Sequence, residues 1–122
     1  MKLIIAGSRT IYLFEDQICA LLNSKNIQEV TEVVCGMAYG MDQAGLDWAD
    51  NYKIPVKPFP ADWDKYGKSA GHIRNKEMAD YADALLVVWD GKSRGSKNMK
   101  ENMLKLNKPV YEVVLKGNND VK

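Results

Sequence analysis

Hydrophobic residues occur in short runs that alternate with longer segments of helical period. The runs are rich in β-branched residues, as is typical of strands, and lie at residues 2–6, 32–35, 56–59, 84–89 and 110–115. The segments between most of them place apolar residues at spacings of three and four, which predicts amphipathic helices. This alternation predicts an α/β fold: a single three-layer sandwich of repeated βα units, whose parallel sheet of about five strands is flanked by helices.

Two of the predicted strands are continuously apolar. Leu-Ile-Ile-Ala at residues 3–6 and Leu-Leu-Val-Val-Trp at residues 85–89 contain no polar position, as expected of central strands covered on both faces. The apolar period of the four predicted helices begins near Phe14, Met41, Ile73 and Met99. The polar, aromatic stretch at residues 57–69 is longer than an ordinary connection, so we expect it to have a function.

Length and composition indicate one soluble domain. The chain has 122 residues, of which 46% are hydrophobic and 27% charged, so we expect one domain over residues 1–115 and a short, frayed polar tail over 116–122. No run approaches the ~18 apolar residues of a membrane span. The start of the chain lacks the pattern of a secretory signal, so we expect a cytoplasmic protein that does not associate with membranes.

Charge, cysteine and histidine content narrow the chemistry. The formal net charge is +1, so binding to nucleic acid is not favoured and any phosphate must be bound locally. Cys19 and Cys35 lie in apolar contexts and are expected to be buried thiols. His72 is the single histidine and no Cys/His pair has ligand spacing, so we predict no metal site and no required cofactor.

Glycine- and hydroxyl-rich loops follow the first, second and fourth predicted strands. They read Gly7-Ser8-Arg9-Thr10, then Gly36-Met37-Ala38-Tyr39-Gly40-Met41-Asp42, then Ser93-x-Gly95-Ser96. The carboxyl ends of parallel strands meet at one edge, where free backbone N–H groups and helix N-termini bind anions. We therefore expect a phosphate to be held by Ser8, Arg9, Ser93, Gly95 and Ser96. Asp42 would accept a hydrogen bond from a ribose hydroxyl.

Each of these loops also has a purely structural interpretation. The first loop is compatible with a simple turn that carries a surface Arg9. Asp42 at a helix N-terminus interacts favourably with the helix dipole whether or not a ligand binds. Ser96 is equally suited to the N-cap of the last helix.

A further candidate segment spans residues 60–75. Arg74 offers a planar fork of donors suited to a phosphate or a carboxylate, and Asn75 adds an amide that both donates and accepts. Asp62 is a nearby carboxylate. Trp63 or Tyr66 would either stack on a base or cover the edge of the sheet.

Taken in order, these motifs resemble those of the small YspA/cpYpsA-related proteins of the SLOG superfamily, which are common in bacteria and their phages. The resemblance covers residues 2 to about 114. Its most specific block is Pro60-Ala61-Asp62-Trp63 with Tyr66-Gly67-Lys68-x-Ala70-Gly71-x-x-Arg74-Asn75-x-x-Met78. It implies a Rossmann-like protein that binds a nucleoside phosphate, nucleotide-sugar or ADP-ribose-like ligand, as a sensor, carrier or sequestering protein.

The cytokinin-activating phosphoribohydrolases of the same superfamily suggest an alternative, cleavage of an N-glycosidic bond. They are similar in Arg74 and Met78, but a glutamate of their Gly-Gly-x-Gly-Thr-x-Glu loop is replaced here by Asn98. An amide cannot act as the carboxylate that stabilises an oxocarbenium-like centre or deprotonates water. Such an enzyme would need another carboxylate, so the catalytic candidates are Asp42, Asp62, Arg74 and Glu101.

Binding to single-stranded DNA is a second alternative. The DNA-processing protein A family, which loads recombinase onto single strands, is similar in its Gly-Ser-Arg start and in its glycine-Asp loop. A modest basic footprint around the last loop would come from Lys92, Arg94, Lys97 and Lys100.

We also expect a homodimer or a larger closed homo-oligomer. Short Rossmann-like domains often leave apolar helix faces uncovered, and such faces favour self-association. The helical residues that suggest one here are Met41, Trp48, Tyr52, Met99 and Met103.

Overall fold

A computed structural model describes residues 1–115, over which strands and helices alternate. In chain order the elements are β1 (Lys2–Gly7), α1 (Glu15–Ser24), β2 (Glu32–Cys35), α2 (Met41–Asn51), β3 (Val56–Pro58), α3 (Trp63–Tyr66), α4 (Ala70–Tyr81), β4 (Ala84–Trp89), α5 (Arg94–Lys105) and β5 (Val110–Val114). A 3-10 turn, Gly67–Ser69, joins α3 to α4. Each predicted strand is confirmed to within one residue at either end. The predicted tail at 116–122 lies outside the described residues.

All five strands belong to one parallel sheet in the order β3-β2-β1-β4-β5. The two continuously apolar strands, β1 and β4, pair with each other from Leu3 opposite Ala84 to Gly7 opposite Val88. The predicted α/β sandwich with central β1 and β4 is therefore confirmed. Because every strand runs the same way, the loops after β1, β2 and β4 meet at one edge of the sheet.

Helices cover both faces of the sheet and give three layers. Successive residues of β1, such as Ile4 and Ile5, face opposite layers and are fully buried. One face packs against α1 and α2, and the other packs against α4 and α5. Burial on both faces explains why residues 3–6 of β1 and 85–89 of β4 include no polar position, since each buried aliphatic side chain contributes roughly 1.5–3 kcal/mol.

Two helices begin earlier than their apolar period indicates, and one helix was not predicted. α4 starts at Ala70 rather than near Ile73, and α5 starts at Arg94 rather than near Met99. The first turn of α5 is polar, and its residues Gly95 and Ser96 lie at the carboxyl edge of the sheet, whereas the first turn of α4 contains the buried Ala70. The single-turn helix α3 lies in the stretch expected to be a loop.

One expectation about the cysteines is wrong. Cys35 is fully buried, but Cys19 is only partly buried. α1 is an outer helix, and the Cys19 thiol accepts a hydrogen bond from the Trp48 indole at 3.4 Å and donates to the Tyr52 hydroxyl at 3.3 Å. Apolar neighbours in the sequence therefore do not bury Cys19 completely.

The residues that suggested a homo-oligomer are mostly covered by the chain itself. Met41, Trp48, Met99 and Met103 belong to its own two core clusters, and only Tyr52 of this group is exposed. The argument for self-association from these side chains is therefore wrong, although the oligomeric state itself stays a prediction. No helix within residues 1–115 combines the length and apolar content needed to cross a membrane.

Candidate ligand-binding site

A cavity of about 400 Å³ opens at the carboxyl edge of the sheet, where the loops after β1, β2 and β4 meet α4. We call it the inner cavity. Its lining residues that the sequence singled out are Gly7, Ser8, Arg9, Gly36, Ala38, Asp42, Arg74, Asn75, Ser93, Gly95 and Ser96. The three predicted loops therefore do converge on one site.

A second cavity of about 260 Å³ adjoins the first, and we call it the outer cavity. Four residues line both cavities: Arg9, Gly36, Ala38 and Arg74. The rest of its wall consists of Met37, Tyr39, Pro60, Ala61 and Trp63. The two cavities together form a groove that runs from the start of α5 to the segment after β3.

Buried polar side chains are concentrated at the inner cavity. Within residues 1–115 the buried polar or charged residues are Ser8, Asp42, Asn75 and Ser96, and all four line this cavity. A polar group removed from water is costly unless it is hydrogen-bonded, so such groups mark sites where they are needed. The rest of the described core is apolar.

Asp42 and Arg74 approach each other above Gly36. Asp42 Oδ2 accepts a hydrogen bond from the Ala38 backbone N–H at 3.2 Å. A Cβ atom at Gly36 would lie 2.9 Å from Asp42 Oδ2 and 3.0 Å from Arg74 Nη1, so only glycine leaves room for both groups. Burial raises the pKa of Asp42, although the Ala38 N–H and the charges of Arg74 and Arg9 act in the opposite direction.

Arg74 and Asn75 are held by the protein itself. Arg74 Nη1 donates to the Gly36 carbonyl and Arg74 Nε donates to Asn75 Oδ1 at 2.9 Å. Asn75 Nδ2 donates to the Gly95 carbonyl at 3.2 Å and to Asn98 Oδ1 at 3.0 Å. The Asn75 amide, expected to face a ligand, therefore joins α4 to α5, and part of the Arg74 fork fixes the loop after β2.

Ser8 likewise has a structural role that its sequence context did not reveal. Its hydroxyl accepts from the Asp90 N–H at 3.0 Å, and its carbonyl accepts from the N–H groups of Ile11 and Met41 at 3.2 and 3.3 Å. Gly40 has φ +72°, and a Cβ there would lie 2.4 Å from the Ser8 carbonyl oxygen. Gly40 lines neither cavity and serves this close packing.

The start of α5 presents free donors to the inner cavity. Asp90 Oδ1 accepts from the N–H groups of Lys92 and Ser93 at 2.8 and 2.9 Å, which lowers the pKa of Asp90 and fixes the loop before the helix. Ser93 is the N-cap residue and Ser96 donates to its hydroxyl at 3.2 Å, so the alternative in which Ser96 is the cap is wrong.

The helical hydrogen bonds of α5 begin with the N–H of Lys97, which donates to the Ser93 carbonyl at 3.1 Å. The three preceding N–H groups, those of residues 94–96, have no partner among the described residues, as is usual for a first helical turn. Ser93, Gly95 and Ser96 line the cavity, so this wall has the chemistry of an anion site.

Arg9 differs from Arg74 because its guanidinium group has no hydrogen-bond partner among residues 1–115. It is exposed and lines both cavities. Within residues 1–115 its guanidinium makes no hydrogen bond or ion pair to another side chain or to the main chain. Arg9 is therefore a cation of the groove whose donors are all available.

Several predicted residues lie outside the inner cavity. Asp62 lines neither cavity, because its carboxylate caps α3 by accepting from the Lys65 N–H at 3.1 Å. Glu101 is exposed and also lines neither cavity. Of the three candidate catalytic carboxylates, Asp42 alone lines the groove. Trp63 lines the outer cavity, with 54% of its surface exposed.

Among the groove residues that sequence reasoning missed, Asp90 and Tyr39 have the side chains best suited to contact a ligand. Asp90 lines the inner cavity at the carboxyl end of β4, and the signal for it was an acid directly between a buried strand and Gly91. Tyr39 lines the outer cavity, and the signal for it was a large aromatic residue within the loop bounded by Gly36 and Gly40.

The described residues give little support for a basic nucleic-acid surface or for a metal site. Lys100, one of the four basic residues around the last loop, forms an ion pair with Glu112 at 2.9 Å. Across residues 1–115, no three His, Cys, Asp or Glu side chains are grouped so that they could hold a metal ion. Comparison of the chain with models of protein families, with curated proteins and with solved structures found no match.

Proposed function

We propose that this protein binds a nucleotide or nucleotide-derived ligand in the groove at the carboxyl edge of its sheet, as a sensor, carrier or sequestering protein. The observation that carries the proposal is the inner cavity. It gathers the buried polar residues of the described chain beside the free N–H groups that begin α5. Ligand pockets typically combine apolar walls with a few precisely placed polar groups of this kind.

The donors of the inner cavity suit a phosphate. The N–H groups of residues 94–96 supply hydrogen bonds and the positive end of a helix dipole. Arg9 supplies a cation whose donors are free, and Ser93 supplies a hydroxyl on the same wall. We place the phosphate between Arg9 and the start of α5.

The acidic groups of the inner cavity suit a sugar. Asp42 and Asp90 line it together with Arg9 and Arg74, so the formal charges of the lining cancel. Carboxylates repel a bare phosphate but accept hydrogen bonds from hydroxyl groups. A ligand that carries both an anion and sugar hydroxyls matches this mixture better than inorganic phosphate does.

Thermal unfolding with a ligand panel tests the proposal. AMP, ADP-ribose, ribose 5-phosphate and inorganic phosphate are compared, because a ligand at ~100 times its Kd adds ~2.7 kcal/mol to the stability. We expect the phosphorylated sugars to raise Tm more than inorganic phosphate. If none of these compounds changes Tm, the proposal is wrong.

A matched pair of variants locates the phosphate. Arg94→Pro removes one N–H at the first position of α5, where proline is tolerated, and the preceding Ser93 already has the extended backbone that proline requires (φ −59°, ψ 122°). Arg94→Ala removes the same charge and keeps the N–H. We expect Arg94→Pro to reduce the ligand-induced rise in Tm further than Arg94→Ala does, and equal effects would argue against binding at these N–H groups.

A second candidate function, cleavage of an N-glycosidic bond, is favoured by one observation about Asp42. Asp42 is a buried carboxyl in the cavity with a raised pKa, which is the property of a general acid. It would protonate the departing base, while water would attack C1 of the ribose. Incubation with AMP tests this candidate, since release of adenine that is lost in Asp42→Asn supports it and no release above background excludes it for this substrate.

A further inference from the structure

Two exposed aromatic side chains of this protein lack the partners that the others have. Among residues 1–115 the exposed aromatic residues are Tyr12, Phe14, Tyr39, Tyr52, Trp63 and Tyr66. Tyr12 and Phe14 pack edge to face with ring centroids 5.5 Å apart, and Tyr52 packs against Trp48 at the same distance. The ring of Tyr66 lies 5.1 Å from the Lys65 ammonium group.

Within the described chain, Tyr39 and Trp63 have no ring partner, no cation over the ring and no side-chain hydrogen bond. Both line the outer cavity, although they come from different segments, one after β2 and one after β3. Exposed aromatic surface is costly in water. Its placement on one cavity indicates a ring-binding surface.

Trp63 is exposed, but it lies on a capped helix and contacts the start of α4. It is the first residue of α3, which Asp62 caps. A Cβ at Gly71 would lie 3.6 Å from the Trp63 ring and 3.8 Å from Arg74 Nη2, so one edge of the indole contacts the start of α4 beside Arg74. Trp63 as a whole keeps 54% of its surface exposed and lines the outer cavity.

Tyr39 is the more exposed of the two, at 79%. It lies between Met37, with φ +63°, and Gly40, with φ +72°, so the backbone of its loop turns sharply on both sides. These turns direct the main chain of the loop back to α2. The Tyr39 side chain is left at the rim of the groove.

We infer that Tyr39 and Trp63 bind the planar base of the nucleotide in the outer cavity. This inference rests on the proposed function, because the base would be joined to a phosphate held in the inner cavity. The wall of the outer cavity contains two arginines and no carboxylate, and the rest of it is apolar, aromatic or glycine. Aromatic faces and guanidinium groups are the surfaces on which bases stack.

The shared wall of the two cavities determines the order in which the phosphate, sugar and base of the ligand would lie along the groove. Arg9, Gly36, Ala38 and Arg74 line both, so a molecule can extend from the start of α5 to the aromatic pair without leaving the groove. The sugar would lie at this shared wall, between the phosphate and the base. A sugar phosphate without a base would leave Tyr39 and Trp63 exposed.

Tryptophan fluorescence and calorimetry test the inference. Trp48 and Trp89 are each only 6% exposed, so a ligand that contacts Trp63 changes the emission of that residue selectively. The parent protein is titrated with AMP, GMP, CMP, UMP and ribose 5-phosphate. We expect at least one nucleoside monophosphate to quench Trp63 and to bind more tightly than ribose 5-phosphate, which should leave the emission unchanged.

Three variants and a control assign the effect to the aromatic pair. Tyr39→Ala and Trp63→Ala should each lower the affinity for the nucleotide by roughly 5- to 150-fold and leave the affinity for ribose 5-phosphate unchanged. Trp63→Phe keeps a ring and should retain most of the affinity. Phe14→Ala removes an equally exposed ring that lines neither cavity and should change no affinity.

The outcomes separate this inference from the proposal on which it rests. Equal affinity for every nucleotide and ribose 5-phosphate, with unchanged Trp63 emission, would overturn base binding and leave phosphate binding intact. A nucleotide whose affinity survives both alanine substitutions would also overturn it. Failure of every phosphorylated compound to bind would overturn both.

Discussion

The inner and outer cavities are neighbours, but their walls are built differently. The inner wall includes buried polar side chains that are hydrogen-bonded within the protein, such as Ser8 and Asn75. The outer wall contains Tyr39 and Trp63, which are exposed and have few partners. Such residues of the inner cavity therefore stabilise the fold as well as form the site. Tyr39 and Trp63 make no comparable contribution to the stability of the fold. Variants of these buried, hydrogen-bonded residues are expected to mix loss of stability with loss of binding.

Asn75→Ala should show the structural role of the inner cavity with the largest effect. It removes the amide between α4 and α5 and leaves the Gly95 carbonyl and Arg74 Nε without their buried partner. We expect the free energy of unfolding in urea to fall by roughly 2–3 kcal/mol. Lys76→Ala, at an exposed position of the same helix, should change it by less than about 0.5 kcal/mol, and a similar small change in Asn75→Ala would contradict the comparison.

The two arginines of the groove should separate stability from binding. Arg74→Ala loses hydrogen bonds to the Gly36 carbonyl and to Asn75, so we expect a loss of about 1–2 kcal/mol in the free energy of unfolding. Arg9→Ala breaks no such bond and should leave stability unchanged while it weakens the ligand-induced rise in Tm. Equal stability losses in the two variants would show that Arg9 is also part of the protein's internal network.

Asp42→Asn should mainly change how the free energy of unfolding depends on pH. Burial raises the pKa of Asp42, so the folded protein keeps a proton that the unfolded chain loses near its ordinary pKa of 3.8. The stability contributed by Asp42 is therefore present below pH 3.8 and is lost as the pH rises through the raised pKa. Asn cannot titrate and keeps an oxygen acceptor for the Ala38 N–H.

Urea unfolding of both proteins between about pH 3.8 and neutrality measures this effect. The parent should lose stability relative to Asp42→Asn as the pH rises. A parent that gains stability over this range instead would mean that Arg74 and Arg9 outweigh burial and lower the pKa of Asp42.

Gly95→Ala should give the smallest change in stability, and with the opposite sign. Gly95 lies in the first turn of α5, and a Cβ there would have no atom within 4 Å. Alanine favours a helix over glycine, so we expect a gain of about 0.5 kcal/mol. The added methyl group on the wall of the inner cavity should lower the affinity for the ligand. Unchanged binding in calorimetry would mean that the ligand does not approach α5 at this point.

The location of the site could be predicted from the sequence because its signals are local. The continuously apolar residues of β1 and β4 indicate burial on both faces, which requires a parallel sheet with helices on either side. In such a sheet the loops that follow β1, β2 and β4 share one edge, so glycines and hydroxyls that are distant in sequence could be assigned to one cavity. Residues from all three loops line the inner cavity, although Gly40 does not.

The partners of individual side chains could not be predicted in the same way. Asn75 and Asn98 are 23 residues apart, and their contact depends on how α4 and α5 pack against each other. Asp62 has the residue type of a ligand group and of a helix cap, and only the presence of α3 decides between them. Tyr39 resembles any exposed loop tyrosine until the outer cavity is formed by another segment.

Ser8 joins its own loop to the segment after β4 and to the start of α2. Its hydroxyl and its carbonyl accept N–H groups from Asp90, after β4, from Ile11, in the loop after β1, and from Met41, at the start of α2. Opening any one of these segments far enough to release its amide disturbs the shared acceptor residue. In amide hydrogen exchange the three N–H groups should therefore behave as one cooperative unit with a common opening free energy. A ligand in the inner cavity should slow the exchange of all three together, including that of Ile11, which does not line the cavity.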